Sequence, residues 1–111
     1  MSQAATVVTS AARTTTGTSG GVSTTDARLS LLVNVTASSG TTPTLDLTIE
    51  WSHDGTNWAV GQPADSFTQI TGTTVVVKQF TAKAPQYRIR WTIGGTTPSF
   101  TFTISEYGMA N

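Results

Sequence analysis

Gly-Thr-Thr-Pro-Thr-Leu-Asp-Leu-Thr-Ile (residues 40–49) returns almost unchanged as Gly-Thr-Thr-Pro-Ser-Phe-Thr-Phe-Thr-Ile (residues 95–104). Six of the ten positions are identical, and Thr44/Ser99, Leu45/Phe100 and Leu47/Phe102 exchange like for like. Each copy follows one alternating run and begins another, so each reads as a β-hairpin whose turn is the Gly-Thr-Thr-Pro tetrapeptide. Period-two alternation of apolar and polar residues is the signature of a strand with one buried face. Leu45, Leu47, Ile49 and Trp51 alternate with Thr44, Asp46, Thr48 and Glu50. Upstream, Leu29, Leu31, Val33 and Val35 share one face, with Leu32 the apolar exception on the other. Tyr87, Ile89, Trp91 and Ile93 alternate with Arg88, Arg90 and Thr92 before the second copy leads to Phe100, Phe102 and Ile104.

Between these runs lie weaker strands. Residues 67–70 form a short candidate, ended by Gly72. Residues 74–81 form another, with Val75, Val77 and the Gln79 position on one face. Pro63 and Gly61 exclude a central strand from residues 59–66. Asp54-Gly55 supplies a residue that tolerates positive φ, so residues 52–58 close a tight turn. No window combines helical periodicity with a cap. The expected fold is all-β: an antiparallel β-sandwich, jelly-roll or Ig-like, of six to seven short strands with a flexible N-terminal arm. Residues 22–111 form its single domain. Residues 1–21 form the arm: a short strand over 4–9, then the low-complexity stretch Thr14 to Gly21, which has little to bury.

Composition narrows the function. At 111 residues the chain has room for one domain, and it has no cysteine, hence no disulfide or thiolate metal site. Threonine fills 24 positions, in keeping with solvent-facing strand surfaces. Six basic and six acidic side chains cancel, which gives no electrostatic attraction to nucleic acid or anionic membrane. No segment reaches the ~20 apolar residues of a membrane span. Residues 1–12 lack the basic and apolar regions of a secretion signal, so the expected route of production crosses no membrane by that path.

Candidate chemistry is sparse. His53 is the only histidine and neighbours Asp54, but without a partnered nucleophile it reads as an exposed turn residue. Asp26, Asp54 and Asp65 lack the spacing of a calcium loop. No cofactor, metal or catalytic residue is expected, and the chain reads as a non-enzyme. Trp51 and Trp91 fall on apolar strand faces and read as core. Trp58 lies just past the turn, where it either packs under the loop or stays partly exposed, as a sugar-stacking ring would. Arg88 and Arg90 share an outward face.

Residues 39–58 and 88–102, with their paired Gly-Thr-Thr-Pro segments, resemble small structural proteins of tailed bacteriophages. The resemblance covers about residues 27–107, and the Ser-x-Asp-Gly-x-x-Trp element within it is a turn found in unrelated β-proteins. It implies a β-sandwich encoded among head and tail genes. The expected function is a capsid decoration (cement) protein on the capsid exterior of the virion, made in the host cytoplasm during assembly. Its partner would be the major capsid protein, with a homo-oligomer (trimer or dimer) on the lattice and no nucleic acid or membrane. The alternatives are a neck or tail ring component, and a carbohydrate-binding module that uses Trp58 to help host adsorption. Candidate partner-binding residues are Val7, Val8, Arg13, Trp58, Arg88 and Arg90, with Val7 and Val8 as the apolar anchor of an arm that orders across a neighbouring subunit.

Overall fold

The two alternating runs on either side of Gly40 belong to one strand, and so do those on either side of Gly95. In the computed structural model, which describes residues 5–109, the elements are β1 (Ala5–Arg13), β2 (Gly17–Thr18), β3 (Val22–Ser23), β4 (Arg28–Ser52), β5 (Ala59–Val60), β6 (Thr74–Thr81) and β7 (Gln86–Met109). These seven strands, all paired antiparallel, make an all-β fold. β4 and β7 run beside each other from Arg28↔Met109 to Ser52↔Gln86.

The Gly-Thr-Thr-Pro copies are therefore not hairpin turns. They face one another in the middle of this long pair, with Ser39 opposite Ser99, Thr41 opposite Thr96 and Thr44 opposite Gly94. A hairpin would have brought Ser39 to Thr44 instead. The reason is steric and local. Gly40 and Gly95 take φ of +112° and +113°, and Thr42 and Thr97 take +46° and +47°. Proline has no N–H to give to a ladder, so both strands drop out of register at the same place. The threonine that precedes each proline donates its hydroxyl to the preceding carbonyl, Thr42 to Thr41 and Thr97 to Thr96, at 2.8 Å in both copies. The sequence repeat is thus a local two-fold symmetry of the backbone.

At this corner the sheet folds onto itself. Trp91 and Phe102 lie eleven positions apart in β7, about 36 Å along a straight strand. Their ring centroids are 5.6 Å apart. Strands that pass from one layer to the other through bends and bulges are the general device for such corners. One layer carries β6, residues 28–39 of β4, residues 99–109 of β7, and β1. The other carries β5, residues 44–52 of β4, residues 86–94 of β7, and β2 with β3. Residues 66–70 pair with the second layer only through the isolated bridges Thr48↔Ser66 and Leu45↔Ile70, so the short strand expected at 67–70 does not form.

The core fills the space between the layers, and the alternation identifies nearly all of it. Leu29, Leu31, Val33 and Val35 oppose Leu45, Leu47, Ile49, Trp51, Tyr87, Ile89 and Trp91, with Phe100, Phe102 and Ile104 beside them. β6 turns the other way: Val76 and Phe80 face inward, whereas Val75 and Val77 face solvent.

The N-terminal segment lies on its own domain. β1 pairs with β7 from Ala5↔Glu106 to Arg13↔Phe100, and Val8 enters the core. Residues 14–21, flexible by composition, run along the other half of β7. Ser19 N–H donates to Ile89 O at 2.8 Å, Ile89 N–H donates to Ser19 Oγ at 2.8 Å, and Trp91 Nε1–H donates to Thr15 O at 3.2 Å. The glycines in this stretch accept large neighbours: a Cβ on Gly17 would lie 3.0 Å from the Trp91 ring, and one on Gly21 3.0 Å from Trp58. Composition counts what side chains can bury and misses the backbone edge that β7 offers.

One core residue is polar and poorly matched. Among the described residues the buried Tyr87 hydroxyl makes no hydrogen bond of ordinary geometry, and its polar neighbour is the Glu106 carboxylate. Burial, and then the nearby Glu106 carboxylate, push its ionisation far above the ordinary tyrosine range, so it stays neutral. A buried unpaired hydroxyl costs about 1–3 kcal/mol. Tyr87→Phe is accordingly expected to be neutral or to stabilise the fold by about 1 kcal/mol, read as an unchanged or raised denaturant midpoint at constant m-value.

Candidate functional site

The six candidate residues fall into two groups. Val7, Val8 and Arg13 lie on β1. Trp58, Arg88 and Arg90 gather on the outer face of the second layer. Nothing brings the two groups together.

On β1, Val8 is a core residue and Val7 packs against the core. Arg13 stands where the chain leaves one layer for the other. Its guanidinium lies 4.9 Å from the ring centroids of both Trp91 and Phe102, which closes the seam between the layers. It donates to the carbonyls of Ala11 at 3.0 Å, Thr9 at 3.0 Å and Phe102 at 3.3 Å. Partial burial lowers its pKa, although a guanidinium stays charged throughout the accessible pH range. All three side chains are thus engaged within their own chain.

The second group is organised by Glu50, a residue that period-two patterning places outside but cannot pair. The register sets Glu50 against Arg88, and Arg88 Nε–H donates to Glu50 Oε1 at 2.6 Å. Glu50 is only 7% exposed. Arg88 also lies over the Trp58 ring, 4.7 Å from its centroid, and Gly21 backs that ring. Trp58 is consequently half-buried with one face covered. Arg90 is 3.9 Å from Glu50 Oε2, and half of its side chain is exposed. Two guanidinium groups meet the Glu50 carboxylate here, and Arg90 carries its charge furthest outward, while Asp46 on the same outward set of β4 adds a second acid.

The neighbouring turn is held by its own side chains. Asp54 Oδ1 accepts from the N–H groups of Thr56 and Asn57, both at 2.9 Å, and Oδ2 accepts from Asn57 Nδ2 at 2.8 Å. Ser52 Oγ accepts from Gly55 N–H at 2.8 Å and donates to Asp54 Oδ1 at 3.1 Å. These bonds, led by the two backbone N–H groups, hold the Asp54 carboxyl far below the usual range. A depressed folded-state pKa stabilises above the ordinary aspartate range, and that contribution is lost as pH falls below it. Ser52 and Asp54 are therefore occupied with the turn, and His53 is exposed beside them.

A groove of about 460 Å³ opens next to this turn, lined by Trp51, His53, Asn57, Val60, Gln62 and Lys83 among others. Its walls are internally paired. Trp51 Nε1–H donates to Asp65 Oδ2 at 2.9 Å, and Lys83 Nζ meets the same oxygen at 2.8 Å. Sequence reading pointed to none of the lining residues as a group, since residues 51–62 and 83–84 converge only through the fold. Among the described residues no cluster of three or more His, Cys, Asp or Glu side chains is placed to hold a metal ion.

No family model and no curated protein matches the chain. Among solved structures it is similar to the crystal structure of PBSX exported protein XepA, with a TM-score of 0.69 and 14% sequence identity. The likeness covers 98% of this chain and 37% of that one, so the chain spans little more than a third of the length of the protein it resembles. At that identity the two share a fold.

Proposed function

We propose that this chain is a non-enzymatic structural component of a bacteriophage particle and, more specifically, a decoration protein on the capsid exterior. The observation that carries the reading is the fold shared with PBSX exported protein XepA over nearly the whole chain. It agrees with the resemblance of residues 39–58 and 88–102 to small structural proteins of tailed phages. A threonine-rich surface with zero net charge suits a protein whose working state is assembled.

In this reading the protein binds the major capsid protein after the shell is built in the host cytoplasm, and each copy bridges adjacent capsid subunits. Weak single contacts suffice, because many copies act together and oligomers add avidity. The contact falls to the outer face around Arg90 and Trp58, since Val8 and Arg13 are consumed by their own core. Arg90→Gln removes the charge at an exposed position while Arg88 keeps its bond to Glu50. It is expected to weaken co-sedimentation with undecorated capsids by about tenfold or more while the melting temperature stays within a degree or two. Undiminished binding by this variant would move the contact to another face. A neck or tail ring built from the same domain is the second reading; it shares the fold observation and differs in copy number per particle.

A further inference from the structure

Among the described residues, four of the five exposed large apolar side chains lie on one surface, the outer face of the layer that carries β6. Leu32 stands directly opposite Val77. Val75 is the next outward residue along β6, and Tyr107, opposite Ser30, is a diagonal neighbour of Leu32. Val75 and Val77 are 61% and 62% exposed. The residues interleaved with them, Ser30, Asn34, Gln79, Thr103 and Ser105, carry no charge.

β6 is also the edge of that layer. Among the described residues it pairs with β4 alone, through eight consecutive residues without a register shift. The opposite edge, β1, is interrupted by two register shifts, a device that discourages further pairing. An outward lysine is the other common device, and β6 contains one. Lys78, however, leaves the strand on the other face and, though exposed, is tied down: its Nζ donates to Ser66 O at 2.7 Å and lies 5.6 Å over the Phe80 ring. The regular, apolar edge is thereby left open.

We infer that β6 pairs antiparallel with β6 of a second copy of this chain across a two-fold axis. The occupant follows from the charges. Apart from Arg28 at its end, the face is uncharged and the whole chain has zero net charge, so little on it steers a charged partner or repels its own copy. Self-pairing of an antiparallel strand is isologous, as a two-fold interface must be. Centred on Val77, it sets each Lys78 against Val76 of the other copy rather than against its equivalent. It joins Val75, Val77 and Leu32 of both copies in one apolar stripe, and main-chain hydrogen bonds across the edge supply the attraction. One strand pair buries less than the ~800 Å² per partner of a standard interface, so the dimer has a dissociation constant on the order of micromolar. The inference adds a surface to the expected homo-oligomer and needs no capsid, so its failure leaves lattice binding untouched.

The test is sedimentation equilibrium of the full chain over concentrations on the order of 1–100 μM, with amide hydrogen exchange over residues 74–81. The wild type is expected to pass from one to two copies as concentration rises, while the β6 amides exchange more slowly. Val75→Lys/Val77→Lys changes only exposed positions and should keep the fold, seen as an unchanged circular dichroism spectrum, yet remain a single copy across the range. A wild type that stays monomeric, a dimer that survives the double substitution, or β6 amides that slow only on a capsid would each overturn it.

Discussion

Gly40→Ala and Gly95→Ala are each expected to destabilise the domain by about 3–5 kcal/mol, at the exceptional end for single substitutions. Two costs add at each site. Both backbones occupy a positive-φ region that is strained for any residue with a Cβ, at about 1–3 kcal/mol. The added atom also meets main chain, which cannot swing aside: it would lie 2.7 Å from Thr97 O at Gly40 and 2.8 Å from Thr42 O at Gly95. Each glycine thus leaves room for the other copy of the repeat. The double variant should lose less than the sum, because one displacement of the two segments relieves both contacts. Gly72→Ala is the control. No atom lies within 4 Å of its Cβ, and the change should stay within about 0.5 kcal/mol. Urea unfolding of the four proteins decides the matter, and alanines tolerated at both corners would refute the two-fold account of the repeat.

Phe102→Ala carries the second large effect, about 3–5 kcal/mol. The ring is fully buried, meets Trp91 edge-on across the layers and supports one side of the Arg13 guanidinium. Its loss opens a cavity at the seam where the N-terminal segment crosses between layers. For a domain of this size the melting temperature should fall by roughly 15–25 °C. Amide exchange should show β1 and residues 14–19 loosening before the β4–β7 ladder. A loss under about 1 kcal/mol would mean that Arg13 and its neighbours collapse into the gap.

Much of this architecture was legible in the chain. Alternation identified the inward residues of β4 and β7 because a strand's side-chain period is two wherever the strand pairs. The partner was not legible. A Gly-Thr-Thr-Pro segment between two alternating runs satisfies a hairpin turn and a corner equally well, and the choice depends on whether Ser39 meets Thr44 or Ser99. The arms of the two copies show their partners only in the register itself, where residues 44–52 lie against 86–94 and 28–39 against 99–109.

The candidate site shows the same division. Arg88 and Arg90 were placed together by alternation alone. Glu50, which organises them, needed the cross-strand register, and so did the stripe formed by Leu32 and Val77. Val75 and Val77 were correctly put on one face, but the sequence alone did not show that this face is open to solvent. Val7, Val8 and Arg13 had looked free because their neighbours to residue 21 can bury little. The ready edge of β7 and the rings of Trp58 and Trp91 supplied what those neighbours lack.

The central claim, that this domain decorates a phage capsid, is tested most directly by counting it. Quantitative mass spectrometry of purified particles, referenced to the major capsid protein, should find this chain within a few-fold of the capsid protein's copy number. A ratio of a few per cent or less, or absence from the particle, would contradict decoration; the first result would point to the neck or tail.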